Sequence, residues 1–329
     1  MDVQPSPVSP SGRLAVSVVI PAFNVAPYLE EAIASVRRQT VPPDEIIIVD
    51  DQSTDGTWEL AQTLGATALR TGHNAGAGRA RNLGIRASAG DVVAFLDADD
   101  IWEPWHCEEL VRLLQEFPDV GIVFGHVRTF GTRSEDQRRL LPHATPVNLW
   151  PAIVDQNYIP QTACAVRRHL LMQVGGYDET FRRAQDYDLW MRLARMTLVA
   201  CTHRQTVRYR AQSNAGARSS RRNLEAQVDA RAKLLATLVA EGSPDVPVVS
   251  TRFREAWAGL LQEAWRAADR DGWEAVLDMA RAVPGSEAVA WSMRRRRAIW
   301  PAWKVLTRAR AAIKAVLARD TAVRTAGHF

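Results

Sequence analysis

The sequence predicts an α/β domain with a mostly parallel central sheet flanked by helices, followed by a C-terminal helical extension. Three observations carry this. Short β-branched runs alternate with stretches of helical periodicity, the signature of strand–helix–strand units and a parallel sheet. Two of those runs end directly in acidic residues. Beyond residue 220 the strand signals stop, and Ala, Arg, Leu and Trp dominate, broken only by scattered Gly and Pro.

Taken in order, residues 1–12 are rich in Pro and Ser, lack an apolar core, and read as a disordered lead-in rather than a leader or anchor. Val16 to Ile20 is a buried strand ending at Pro21. Pro27 suits the first turn of a helix, and Leu29, Ala32, Ile33 and Val36 follow at helical spacing until Pro42-Pro43. Ile46 to Val49 is a second buried strand, running into Asp50-Asp51. Ser53, Thr54 and Asp55 are capping types before a helix carrying Trp58, Leu60, Ala61 and Leu64. A weak strand falls at Ala66 to Leu69 and a helix at Ala75 to Ala87. The third apolar strand, Asp91 to Leu96, ends in Asp97-Ala98-Asp99-Asp100. Helices are expected at Leu110 to Phe117, Arg167 to Val174 and Asp186 to Met196, with strands at Val120 to Val127 and Leu198 to Cys201. The expected organisation is a domain over 13–220 and an extension over 221–329.

Composition narrows the class. With 47% hydrophobic and 24% charged residues the chain has enough apolar side chain for a sizeable core. A net charge of only +4 argues against a nucleic-acid partner. The cysteines, Cys107, Cys164 and Cys201, are odd in number and form no C-x-x-C pair, which points to reduced core thiols and a cytoplasmic setting. No apolar run reaches transmembrane length.

The chemistry lies at the strand ends. Asp97 and Asp99, on a turn after a buried strand, can converge on one divalent cation; hard oxygens suit Mg²⁺ or Mn²⁺ shared with phosphate oxygens. The same pair also suits a plain turn. A carboxylate of Asp50-Asp51 could accept from a base or a ribose hydroxyl, or cap a helix. In open α/β sheets, this C-terminal strand edge is where ligands bind. Gly76-Ala77-Gly78 does not complete a dinucleotide fingerprint, because the third glycine position holds Arg81.

Val16 to Asn24 (VSVVIPAFN), Glu45 to Thr57 (EIIIVDDQSTDGT), Asn74 to Gly90, Asp91 to Asp100 (DVVAFLDADD), Gly175 to Glu179 and Ala184 to Trp190 together resemble the successive signatures of glycosyltransferase family 2. The resemblance covers about residues 14 to 215. It implies the GT-A (nucleotide-diphospho-sugar transferase) fold. The implied activity is inverting transfer of a sugar from a nucleotide-diphosphate donor to an acceptor hydroxyl, in polysaccharide or glycolipid assembly. It also assigns roles. Pro21 and Ala22 lie against the nucleotide, Asp51 binds the base, and Arg81 lies near the donor, as do Asp97 and Ala98. Asp97 and Asp99 hold the metal, Mn²⁺ or Mg²⁺, and Asp186 is the catalytic base. Only the resemblance separates Asp186 from Asp188. Two positions depart from the family pattern: Gln185 stands where Glu is common, and Gln212 where a His often follows Tyr-Arg. A nucleotidyltransferase would want a Gly-rich, basic phosphate loop after the first strand, and Pro21 to Asn24 does not supply one. A non-catalytic nucleotide-sugar binding module is left open by Gln185 and Gln212.

The acceptor side is faint. Trp102, Trp150, Tyr158 and Gln161, with Gln185 and Gln212, are candidates for a glycan or glycolipid acceptor, since aromatic faces stack on sugars; each also suits ordinary packing. His126 reads as a packed histidine. The run Arg294 to Arg297 with Trp300, Trp303 and further basic residues reads either as a solvated basic face or as a helix lying on an anionic membrane surface over residues 291–319. The latter would place the enzyme peripherally at the inner membrane face.

Overall fold

The computed structural model describes residues 13–131, 146–211 and 221–253. All fall in one compact unit ending at Phe253. Residues 1–12, Gln212 and the basic segment 291–319 lie outside the described residues. No described helix is long and apolar enough to cross a membrane.

Eight strands form one sheet: β1 (Val16–Ala22), β2 (Glu45–Asp50), β3 (Thr67–Arg70), β4 (Val92–Phe95), β5 (Ile101–Trp102), β6 (Val120–Gly131), β7 (Cys164–Arg167) and β8 (Leu198–Ala211). Their order is β3-β2-β1-β4-β7-β6-β8-β5. β1 runs parallel to β2 and β4, β2 to β3, and β6 to β8; β7 is antiparallel to both neighbours and β5 is antiparallel to β8. The helices are α1 (Ala26–Arg37), α2 (Thr57–Thr63), α3 (Ala77–Ala87), α4 (His106–Glu116), α5 (Arg168–Gln173), α6 (Gln185–Ala194) and α7 (Arg221–Ala240).

The period-2 alternation of β1 and β2 divides the core. Val16, Val18, Ile20 and Ile48 pack with α1 (Leu29, Ala32, Ile33, Val36) and α4 (Leu110, Leu113) on one face. Ile47 and Val49 meet Ala80 and Leu83 of α3 on the other. Burying each large aliphatic contributes about 1.5–3 kcal/mol, which is why the strands read as unbroken apolar runs. Gly84 lets α3 close on β1, because a Cβ there would run into the Val19 side chain. This close approach seats Arg81, one helical turn earlier, over the C-terminal edge of the sheet.

The sequence reading differs from the structure where polarity masks strands. β8 continues ten residues past Cys201, through Thr202 to Ala211, because it pairs with β6 along its length. Its consecutive His203, Arg204 and Gln205, where the pairing with β6 is irregular, interrupt the apolar run and look like loop. β5 and β7 are too short to show a period. α4 starts at His106 rather than Leu110, its first turn carrying Glu108 and Glu109, which favour a helix N-terminus. The three cysteines are free and buried. Residues 221–253, the start of the expected helical extension, lie in the same compact unit: Arg231 of α7 is buried, donates to the Val154 and Asp155 carbonyls and stacks 4.9 Å from the Tyr187 ring centroid.

Candidate active site

Two acids end β2, and they do different work. Asp50 is fully buried, pairs with Arg70 Nε at 2.9 Å and accepts from Ser53 N. It fixes the turn into α2. Asp51 accepts from Thr71 Oγ1 (2.8 Å), Ala75 N (3.2 Å) and Gly76 N (2.6 Å). These three bonds to a carboxylate that is only 2% exposed fasten the loop before α3. Gly76 begins that helix at φ +95°, a conformation that favours glycine. The end of β1 closes the same corner, with Ala22 O accepting from Asp51 N at 2.8 Å and Pro21 half-buried beside it.

The turn after β4 carries the second group. Asp97 Oδ1 accepts from Arg81 Nη2 at 2.6 Å; the Asp97 side chain is 30% exposed and that of Arg81 only 6%. Arg81 also lies 5.6 Å from the Tyr177 ring centroid. Burial works to lower the Arg81 guanidinium, but Asp97, Tyr177 and Asp186 outweigh it and hold it above its ordinary value. Ala98 is buried, and Asp99 is half-buried. Asp100 is fully buried and accepts from Arg210 N at 2.8 Å; burial, with Asp97 and Asp99 beside it, pushes its carboxyl well above the usual range. Arg210 Nε also donates to Asp99 O at 2.9 Å. β8 therefore props the acidic turn from beneath.

The third group opens α6. Asp186 lies in its first turn and accepts from Asn157 Nδ2 at 2.8 Å. Asp188, the rival, is buried, paired at 2.7 Å with Arg192, which also holds the Val174 and Gly176 carbonyls. Asp188 is thus structural, whereas Asp186 is half-buried and lies near enough to Arg81 to add, after Asp97, to what holds that guanidinium up. The loops are tied together: Arg182, leading into α6, donates to Asn74 Oδ1 (3.1 Å), and Asn74 donates to Asp51 O (3.0 Å). Asp51, Asp97, Arg81 and Asp186 thus belong to one corner of the molecule.

That corner contains buried polar atoms without partners: Arg81 Nε, Gln161 Nε2 and Gln185 Oε1. Such atoms are rare and costly in a finished interior, and a polar ligand would satisfy them. Gln161 also accepts from Tyr177 OH at 2.9 Å, and Gly78 packs against Tyr177 and Gln185. The donor set for a divalent cation is Asp97, one of whose oxygens Arg81 uses, and Asp99. Among the described residues no cluster of three or more His, Cys, Asp or Glu is gathered for a metal. A cation at this turn would draw at most these two side-chain carboxylates from the protein and would need phosphate oxygens and water for the rest of its shell.

Neither tryptophan candidate offers a face to a sugar at this corner. Trp102 is buried in the core, its indole N–H on Thr162 O (2.9 Å) and its ring 4.2 Å from His106, so it has no face for a sugar. Burial depresses that His106 to about 3. Trp150 donates to Asp245 (2.9 Å), and Arg195, just past the far end of α6, lies over its ring. Arg195 is nine residues from Asp186, about 14 Å along a helix. Tyr158 is half-buried near Tyr187, and His126 is half-buried on β6, its imidazole depressed by burial and by His203. Gln212 lies outside the described residues.

Sequence reasoning missed Asn157, Thr162 and Tyr177. Thr162 Oγ1 lies 3.2 Å from Asp97 N. Tyr177 stood within the Gly-Gly-Tyr-Asp-Glu stretch, and Asn82 holds its N–H and carbonyl (2.8 Å each). Replacing Asn157 by Ala frees the Asp186 carboxylate to rotate. Because Asn157 Oδ1 also accepts from Ile159 N, some loss of stability is expected too; with nucleotide binding kept, we expect transfer about tenfold slower, measured by turnover beside a denaturant titration.

This α/β architecture, with acids and a guanidinium gathered at one sheet edge, is the GT-A fold. The Glycosyl transferase family 2 model matches residues 17–181. That is half of the chain, and the chain belongs to this family. An uncharacterized glycosyltransferase of Nostoc sp. is 34% identical over 177 residues, covering 49% of this chain and 53% of its own. One from Haemophilus influenzae is 25% identical, covering 54% of this chain and 61% of its own. The chain thus spans between half and two thirds of these relatives' length. Among solved structures, S. aureus TarS residues 1–349, in complex with UDP-GlcNAc, superposes with a TM-score of 0.66 at 18% identity, covering 82% of each chain.

Proposed function

We propose that the chain transfers a sugar from a nucleoside-diphosphate sugar to an acceptor hydroxyl, with inversion at the anomeric carbon. The observation that carries this reading is the set of unpartnered buried polar atoms on Arg81, Gln161 and Gln185, beside Asp97 and within reach of Asp186's charge. The family supports the reaction class, and the nucleotide sugar bound by TarS supports a UDP-sugar as the first donor to try and UDP as the first diphosphate.

In this reading Asp51 and the end of β1 meet the nucleoside, and Arg81 meets the diphosphate as a planar, permanently charged donor. Mn²⁺ or Mg²⁺, held by Asp97 and Asp99, would supply charge neutralisation for the departing diphosphate. Asp186, oriented by Asn157, takes the proton of the attacking hydroxyl. A single displacement at the anomeric carbon then inverts it. The setting we infer is polysaccharide or glycolipid assembly.

Isothermal titration with UDP and other nucleoside diphosphates, with and without Mn²⁺, tests the donor assignment. One diphosphate is expected to bind about tenfold or more tighter with Mn²⁺. If none binds, the reading is wrong.

A further inference from the structure

A cleft lies on the β6–β8 ribbon, beyond the acidic turn. It encloses about 490 Å³ and is lined by Glu103, Arg128, Thr129, Phe130, Gln205 and Arg208. Arg128 and Arg208 are exposed and are direct register partners on parallel strands, so both guanidinium groups rise from the same face of the sheet. Like charges placed directly opposite one another in a sheet are destabilising. The neighbouring arginines of β8 have counter-charges: Arg204 pairs with Glu109 and Arg210 with Glu31. Among the described residues, Arg128 and Arg208 have no ion pair, and Glu103, in the same lining, reaches neither. Arg208 is held in place by stacking 4.6 Å from the Phe130 ring centroid, and Arg210 stacks on Phe130 at the same distance. The stacking fixes the guanidinium without neutralising it.

The cleft adjoins the reaction corner. Arg208 is the register partner of Ile101, the residue after Asp100. Two residues further along the strand, about 7 Å, Arg210 holds Asp99 and Asp100 by hydrogen bonds.

We propose that Arg128 and Arg208 bind an anionic group, phosphate or carboxylate, carried by the acceptor, separately from the donor diphosphate. This rests on the glycosyl-transfer reading and names the acceptor class within it. A planar fork on each arginine suits either anion, and two forks side by side suit a group bound in the cleft mouth.

The test uses the full chain with its donor site saturated by UDP and Mn²⁺, titrated with glucose 6-phosphate, glucuronate and glucose. Glucose 6-phosphate or glucuronate is expected to bind, and glucose to bind much more weakly. The double variant Arg128→Ala/Arg208→Ala should lose about tenfold or more in affinity for the anionic sugar, and Arg128→Lys/Arg208→Lys should recover part of it. Phosphatidylglycerol vesicles separate the sources. Vesicle binding lost in the double Ala variant assigns the anion to a lipid headgroup; sugar-anion binding lost with vesicle binding unchanged assigns it to a soluble glycan. Both side chains are exposed, and removing two like charges from opposite positions does not weaken the sheet, so the double Ala variant should keep or raise the unfolding midpoint and keep UDP affinity. Anionic sugars that bind wild type and double Ala variant equally, or fail to bind wild type that binds UDP, overturn the proposal. Failure of UDP and other diphosphates to bind wild type instead rejects the donor assignment itself.

Discussion

Asp186→Asn is expected to slow transfer by about 10²–10⁴-fold, the usual size of a general-base contribution, while leaving nucleoside-diphosphate affinity within about twofold. The amide keeps the volume of the carboxylate, and its oxygen can still accept from Asn157 Nδ2, so position is preserved and only proton acceptance is lost. The control is Asp188→Asn two residues on. Asp188 is buried and paired to Arg192, which also clamps the Val174 and Gly176 carbonyls. Its loss should appear in the unfolding midpoint, because breaking a buried pair leaves an unmatched charge. Turnover, diphosphate titration and thermal melting on the two variants separate the base from the scaffold. Full transfer by Asp186→Asn would remove the assigned base.

Asp99→Ala is expected to abolish most of the Mn²⁺ enhancement of diphosphate binding and to slow transfer by about 10²–10³-fold, the loss seen when one electrostatic stabiliser of a leaving group is removed. Asp97→Ala is a poorer probe, though its side chain points to the same chemistry. Asp97 neutralises Arg81, whose side chain is only 6% exposed, and stripping a partner from a buried charge costs about 3–5 kcal/mol. A lost activity there would mix unfolding with metal loss. Arg81 keeps its Asp97 partner in Asp99→Ala, so diphosphate titration of that variant with and without Mn²⁺, beside its unfolding midpoint, separates metal loss from unfolding. An enhancement equal to wild type would take Asp99 out of the metal site.

The central strands and the helices flanking them were legible because burial on both faces forces β-branched runs, and Pro and Gly punctuate them. Acids at the ends of β2 and β4 were visible for the same reason: each follows an apolar run without a spacer. The division of labour at Asp50-Asp51 was not visible, since adjacent residues leave a strand in opposite directions and only the fold shows that Arg70 takes one. The choice between Asp186 and Asp188 could not be made from local pattern, because both fall in the first turn of α6 and only Arg192 distinguishes them. Asn157 lies 29 residues before its partner Asp186, in a stretch without periodicity, so nothing in the sequence pointed to it. The second half of β8 was hidden by its arginines, and with it the cleft between Arg128 and Arg208. For Trp102 and Trp150 the sequence left sugar stacking and ordinary packing open, because it gives no sign of whether an indole N–H is already engaged, as both of these are.

The most direct test is a crystal structure of the chain with Mn²⁺ and the nucleoside diphosphate that binds best. The account predicts the nucleoside against Asp51 and the end of β1, the diphosphate between Arg81 and the Asp97–Asp99 turn, and the Asp186 carboxylate facing the position of the departing sugar. A nucleotide seated away from Arg81, or an Asp186 turned from it, would contradict the account.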